Sequence, residues 1–135
     1  MSGATEPRSS RSSIYFLHKP HQPIMPDLAT TSVLVVLSTA PTPQAARQLA
    51  QTLVQERHAA CCTILTGAGS VYRWEGKVEE SEETVMLIKT THQQYSQLQQ
   101  RIKELHPYQL PEIIAVPVVA GLAGYLEWVA DSVGD

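Results

Sequence analysis

Residues His58 to Thr90 read as one very long β-hairpin, and that reading constrains the fold more than any other feature of the chain. His58 to Thr66 is an apolar, strand-like segment. Gly67 and Gly69 permit a bulge or kink, and Ser70 to Trp74 continues extended to Glu75-Gly76, a tight-turn pair. The return strand starts at Lys77, passes the acidic stretch Glu79-Glu80-Ser81-Glu82-Glu83 and carries Val85, Met86, Leu87 and Ile88 into a core before ending near Thr90. Two arms of roughly 15 residues, at about 3.3 Å per residue, run to about 50 Å, whereas strands in small domains usually have about 5 or 6 residues. Part of the hairpin must therefore project. A ribbon bearing Val71, Tyr72 and Trp74 is marginal in water alone and exposes unpaired edges, so a neighbouring subunit is its natural cover. The hairpin thus predicts an oligomer with Tyr72 and Trp74 at its interface.

The flanking segments complete the pattern. Ser32 to Ser38 is β-branched and apolar on both faces, as in a central strand covered on each side. Thr42-Pro43 is a cap and first-turn pair, after which Ala46, Leu49, Ala50, Leu53 and Val54 recur at helical spacing up to about Arg57. Thr91 with Gln94 matches a capping box, and Tyr95, Leu98, Ile102 and Leu105 form a stripe that stops at His106-Pro107, because proline disfavours helix in the residue before it. Ile113 to Val119 is a further strand, with Pro117 placing it on an edge or at a bulge. Leu122, Tyr125, Leu126 and Val129 make a last helical stripe. The order β-α-β-β-α-β plus a terminal helix predicts an α+β, ferredoxin-like (split βαβ) fold, two helices covering one face of an antiparallel sheet. Trp128 sits about 200° around the last helix from Leu126, off its apolar stripe, and joins Tyr72 and Trp74 as a predicted interface residue.

Composition bounds the rest. With 135 residues the chain has room for one ordinary domain. Residues 1–30 are rich in proline, serine and arginine without a period of 2 or 3.6, so they read as a flexible N-terminal extension ahead of a domain spanning 31–135. A net charge of -3 offers no chain-wide positive field for a phosphate backbone, which argues against nucleic acid as a partner. The longest uninterrupted apolar run, Val33 to Leu37, is strand-sized, which argues against a membrane partner and for a soluble protein. No signal-peptide pattern is recognisable, and the two cysteines, Cys61 and Cys62, are adjacent and unsuited to an ordinary disulfide, so they read as thiols in a reducing, cytoplasmic setting.

Ala59-Ala60-Cys61, the run Ser70-Val71-Tyr72-Arg73-Trp74-Glu75-Gly76-Lys77, Lys89-Thr90, the run His106-Pro107-Tyr108-Gln109-Leu110-Pro111-Glu112 and Tyr125-Leu126-Glu127-Trp128 together resemble the divalent-cation tolerance family, CutA, in order and at family spacing over about Val33 to Val129. The resemblance implies a ferredoxin-like protomer in a homotrimer with PII-like packing of hairpin sheets across subunits. It also implies a role in binding, or responding to, copper or another divalent metal ion.

A soft-metal site draws on thiolate or imidazole, and the chain offers Cys61, Cys62, His58, His92 and His106. In copper-binding relatives the ligand set is a cysteine in the first strand and a His-His pair before Pro-Tyr; the matching positions here are Ser38, Leu105 and His106. His106 is therefore the first metal candidate and Cys61, which matches a family cysteine, the second. Against these stand structural roles: His106 capping helix carbonyls, Cys61 as a small hydrophobe. The acids Glu75, Glu79, Glu80, Glu82 and Glu83 read as a solvated face. Lys89, in an apolar strand, needs a partner such as a carboxylate, and with Tyr108, Trp74 and His106 it outlines a polar cleft between subunits. No nucleophile elbow, phosphate-binding glycine loop or oriented Cys/His/Asp set is present, so no enzyme and no organic cofactor is expected. The sequence thus points to a trimeric, metal-linked protein whose partners are copies of itself and a metal ion. The alternative is a PII-like signalling or scaffold trimer holding a small anionic ligand or a partner protein near Lys89.

Overall fold

The computed structural model describes residues 31–135. The extension predicted over residues 1–30 lies outside the described residues. Seven elements follow in the predicted order: β1 (Val33–Ala40), α1 (Pro43–Gln55), β2 (Cys61–Trp74), β3 (Lys77–Thr91), α2 (Tyr95–Leu105), β4 (Ile114–Pro117) and α3 (Ala123–Ser132). The strands form one antiparallel sheet in the order β2-β3-β1-β4. This is the α+β, ferredoxin-like arrangement expected from the sequence.

Local chemistry explains the boundaries. The Thr42 side chain accepts a hydrogen bond from the Ala45 N–H at 3.0 Å, with Pro43 in the first turn of α1. Beyond the helix, Arg57 enters the left-handed region at φ 65°. The chain then returns to the sheet, and Ala60 N donates to Lys89 O at 2.8 Å. At the hairpin tip Glu75 and Gly76 have φ of 50° and 83°, the pair of positive values a two-residue turn between right-twisted strands requires. The predicted capping box forms only by half. Gln94 N donates weakly to Thr91 Oγ1 at 3.4 Å, the Gln94 side chain makes no cap bond, and α2 begins one turn later, at Tyr95. Strand β4 is shorter than predicted, since Pro117 lacks an N–H and ends the run on the sheet's edge.

The core lies between one face of the sheet and the helices α1 and α2. Val36, Met86, Ile88, Leu53, Leu98 and Ile102 are fully excluded from water there. Helix α3 packs on the opposite face, where Val129 meets Val33 and Ala60. It covers only the end of that face nearest the start of β1. The predicted stripe on α3 is thus only partly buried: Val129 is inside, whereas Leu122 is 79% exposed, and Tyr125 and Trp128 are both about half-exposed. Arg57 fastens the end of α3, its guanidinium donating to the carbonyls of Asp131 (3.1 Å) and Gly134, while Gly134 N donates to Arg57 O at 2.9 Å.

Candidate functional site

The hairpin register decides which side chains meet. From Cys61↔Lys89 to Leu65↔Val85 the strands pair regularly; Ala68 then pairs with Glu83, so Thr66 and Gly67 together lie opposite the single residue Thr84. This is a β-bulge, with Gly67 at φ 77°, where a side chain would be strained. Beyond it Tyr72 pairs with Glu79 and Trp74 with Lys77. Side chains directly opposite in an antiparallel pair share a face, and so do every second residue along a strand. Tyr72, Trp74, Glu79 and Glu83 therefore stand on the face turned away from α1 and α2.

The segment 107–112 between α2 and β4 closes over this group. A cleft of about 900 Å³ results, walled by Tyr72, Trp74 and Tyr108 and by the carboxylates of Glu79, Glu83 and Glu112. Among the described residues, no lysine, arginine or histidine side chain lines it. Tyr108 OH donates to Glu83 Oε2 at 2.9 Å; burial first, then that carboxylate, pushes the phenol up from 10.0 to about 12.

His106 fixes the wall from behind. Its buried ring donates from Nε2 to the Thr39 carbonyl of β1 at 2.6 Å and accepts the Tyr108 N–H at Nδ1 at 3.0 Å. Both ring nitrogens are committed, and no lone pair is left for a metal. The helix-capping alternative is met by the backbone alone, since His106 is the C-cap residue of α2. The His106 backbone N–H bonds Ile102 O at 2.8 Å, while the ring reaches across to β1 instead of the helix carbonyls.

Of the residues expected to share a cleft, Tyr108 and Trp74 do so and Lys89 does not. Lys89 is on the same face but six residues along β3 from Glu83, roughly 20 Å away. Its ammonium donates to Thr63 Oγ1 at 2.8 Å, a hydroxyl partner in place of the expected carboxylate. Cys61 lies across from Lys89, with its sulfur 3.5 Å from the Tyr125 hydroxyl. Cys62 packs against the core on the other face, and burial pushes its thiol up to about 11 against a weaker opposing pull from the Lys89 ammonium. Both thiols are free. His58 pairs with Glu56 at 3.4 Å. Among the described residues no three His, Cys, Asp or Glu side chains come together to hold a metal, so one protomer's residues do not fit a resident soft-metal ion. Glu79 and Glu83, read from sequence as a solvated face, are instead cleft residues. The two-residue turn could have revealed the Tyr72–Glu79 pairing; Glu112 and the closing segment carried no periodic signal.

Fold and site together define a small ferredoxin-like α+β module with one face of its sheet left half open and a cleft at the end of that face. The comparisons with known proteins are specific about which. The model of the CutA1 divalent ion tolerance protein family matches residues 34–132, and the chain belongs to that family. It is 46% identical over 100 residues to the divalent-cation tolerance protein CutA of Thermus thermophilus, covering 74% of this chain and 97% of the relative. The CutA protein of Pectobacterium atrosepticum is 45% identical over 106 residues, 77% of this chain and 94% of the relative. Among solved structures, CutA1 from Oryza sativa superposes with a TM-score of 0.76 at 39% identity, over 78% of this chain and 97% of that one.

Proposed function

We propose that this chain acts in tolerance to divalent cations, copper among them, as a cytoplasmic homotrimer without catalytic activity. The family match across residues 34–132 is the observation that carries this reading. Assembly is supported by the sheet itself. Its edge strands β2 and β4 expose Val71, Tyr72, Ile114 and Val116, and Trp128 stands half-exposed on α3. In that trimer Tyr72 and Trp74 border the neighbouring subunit, and their cleft lies at the margin between copies. The paired free thiols support a reducing compartment.

For the metal, the reading places the soft donor at Cys61, on the half-open face, with further ligands from another copy or from water, and leaves His106 to the fold. Such a site has modest affinity. The test is light scattering for the oligomer and an anaerobic titration of wild type, Cys61→Ser and His106→Ala with Cu(I) and Cu(II) against a competing chelator. Saturable binding at a fixed ratio per protomer, lost in Cys61→Ser, is expected. Binding at nonspecific levels only in wild type would overturn the copper assignment.

A further inference from the structure

We propose that the cleft between the hairpin and segment 107–112 binds an organic cation, an alkylated ammonium group, by an aromatic wall and surrounding carboxylates. Three independent features point there. The first is size: about 900 Å³ lies within the range of small-molecule sites, roughly 300–1,000 Å³. The second is sign. Among the described residues the lining holds Glu79, Glu83 and Glu112 and no cationic side chain. Glu79 and Glu112 have no ion pair or hydrogen bond among the described residues, and Glu83 takes one hydrogen bond, from Tyr108. The charge of the described lining therefore disfavours the anion expected near Lys89.

The third is the kind of surface. Tyr72 and Trp74, exposed by 43% and 50% in the single protomer and bordering the neighbouring subunit in the proposed trimer, are neighbours on one face of β2, and Tyr108 stands across from them. Aromatic faces attract cations most strongly when the cation is weakly hydrated, which favours charge spread over alkyl groups. A bare divalent ion is matched poorly, because the carboxylates do not converge into a metal-holding set. The wall is also preorganised: His106 holds the Tyr108 backbone and Glu83 its hydroxyl, so binding orders little. The site shares no residue with the Cys61 metal reading, and either can fail without the other.

The experiment uses the whole, chelator-treated protein carrying 5-fluorotryptophan, whose two tryptophans, Trp74 and Trp128, give separate ¹⁹F resonances. Trp128→Phe serves for assignment only. Tetramethylammonium chloride is titrated at constant ionic strength, with tert-butanol as the uncharged probe of similar shape. The expected result is a saturable shift of the Trp74 resonance with tetramethylammonium, none with tert-butanol, and an apparent Kd raised about 10-fold in Glu79→Gln/Glu112→Gln. Both substitutions are at exposed, unpaired carboxylates, so the fold does not depend on them. An equal response to both probes, a shift that never saturates, an unchanged Kd in the double variant, or no response because a neighbouring subunit fills the cleft would each overturn the proposal.

Discussion

Strand β3 has two faces that lead different lives. Thr84, Met86, Ile88 and Thr90 point toward α1 and α2 and are almost wholly buried; Val85, Leu87 and Lys89, alternating with them, are only half-covered. One face follows the rule for a single domain, close packing against helices at interior density. The other is closed at one end by α3, opens into the acid-aromatic cleft at its other end, and between them carries apolar and basic residues without a complete cover. Burial is concentrated on the first face and the cleft opens on the second, although the same stretch of backbone serves both.

The largest expected effect should break this symmetry outright. Ile88→Ala, which opens a cavity in the helix-covered core, is expected to cost about 2–5 kcal/mol in denaturant unfolding, and Leu87→Ala less than half as much. Equal costs would show that the second face is as tightly packed as the first. The two cysteines sharpen the comparison further. Cys62, raised from 9.0 to about 11 on the core face, should hold about 100-fold less thiolate at neutral pH than an unshifted thiol. In alkylation followed by mass spectrometry, the Cys61→Ser variant should accordingly label very slowly.

Tyr108 tests the cleft end. Its folded pKa, about 12, lies above the ordinary 10.0, so the folded chain holds this proton more tightly than the unfolded chain does. The contribution of the neutral Tyr108–Glu83 pair is complete below pH 10 and falls away as pH rises toward 12. The stability difference between wild type and Tyr108→Phe should shrink over that interval, and tyrosinate absorbance should show one late-titrating phenol in wild type that the variant lacks. The smallest effect concerns the other end. Arg57→Ala removes the bonds to Asp131 and Gly134, and α3 should loosen by about 1 kcal/mol, seen as faster amide exchange near Val129 with the core unchanged.

The element order was legible because hydrophobic periodicity and turn chemistry are local: Thr42-Pro43, Glu75-Gly76 and His106-Pro107 each mark a boundary by their own geometry. The site was legible in pieces. Trp74 and Tyr108 line one cleft of the protomer, whereas Lys89 lies toward the other end of the same face; that separation was hidden because distance along a strand is not visible in a list of polar residues. The partners of the His106 ring, Thr39 and Tyr108, were not legible for a related reason: they are chosen by how a loop wraps around the end of β1. Glu83 was invisible as a partner for Tyr108 because 25 positions along the chain, with the whole of α2 among them, separate the two.

The bulge at Thr66 and Gly67 has a consequence best put as parity. Along the inner half of the hairpin, odd-numbered residues of β2 share a face with odd-numbered residues of β3; past the bulge, even-numbered residues of β2 take their place. Were the inner register to continue past that point with every residue kept, Tyr72 would face Val78, and the aromatic rings would stand on the opposite side of the ribbon from Glu79 and Glu83. A slip of the outer ladder back into the inner register would act as a frameshift in three dimensions, leaving every side chain of the tip intact and moving those of β2 to the other side, whereas deleting one bulge residue would keep Tyr72 opposite Glu79.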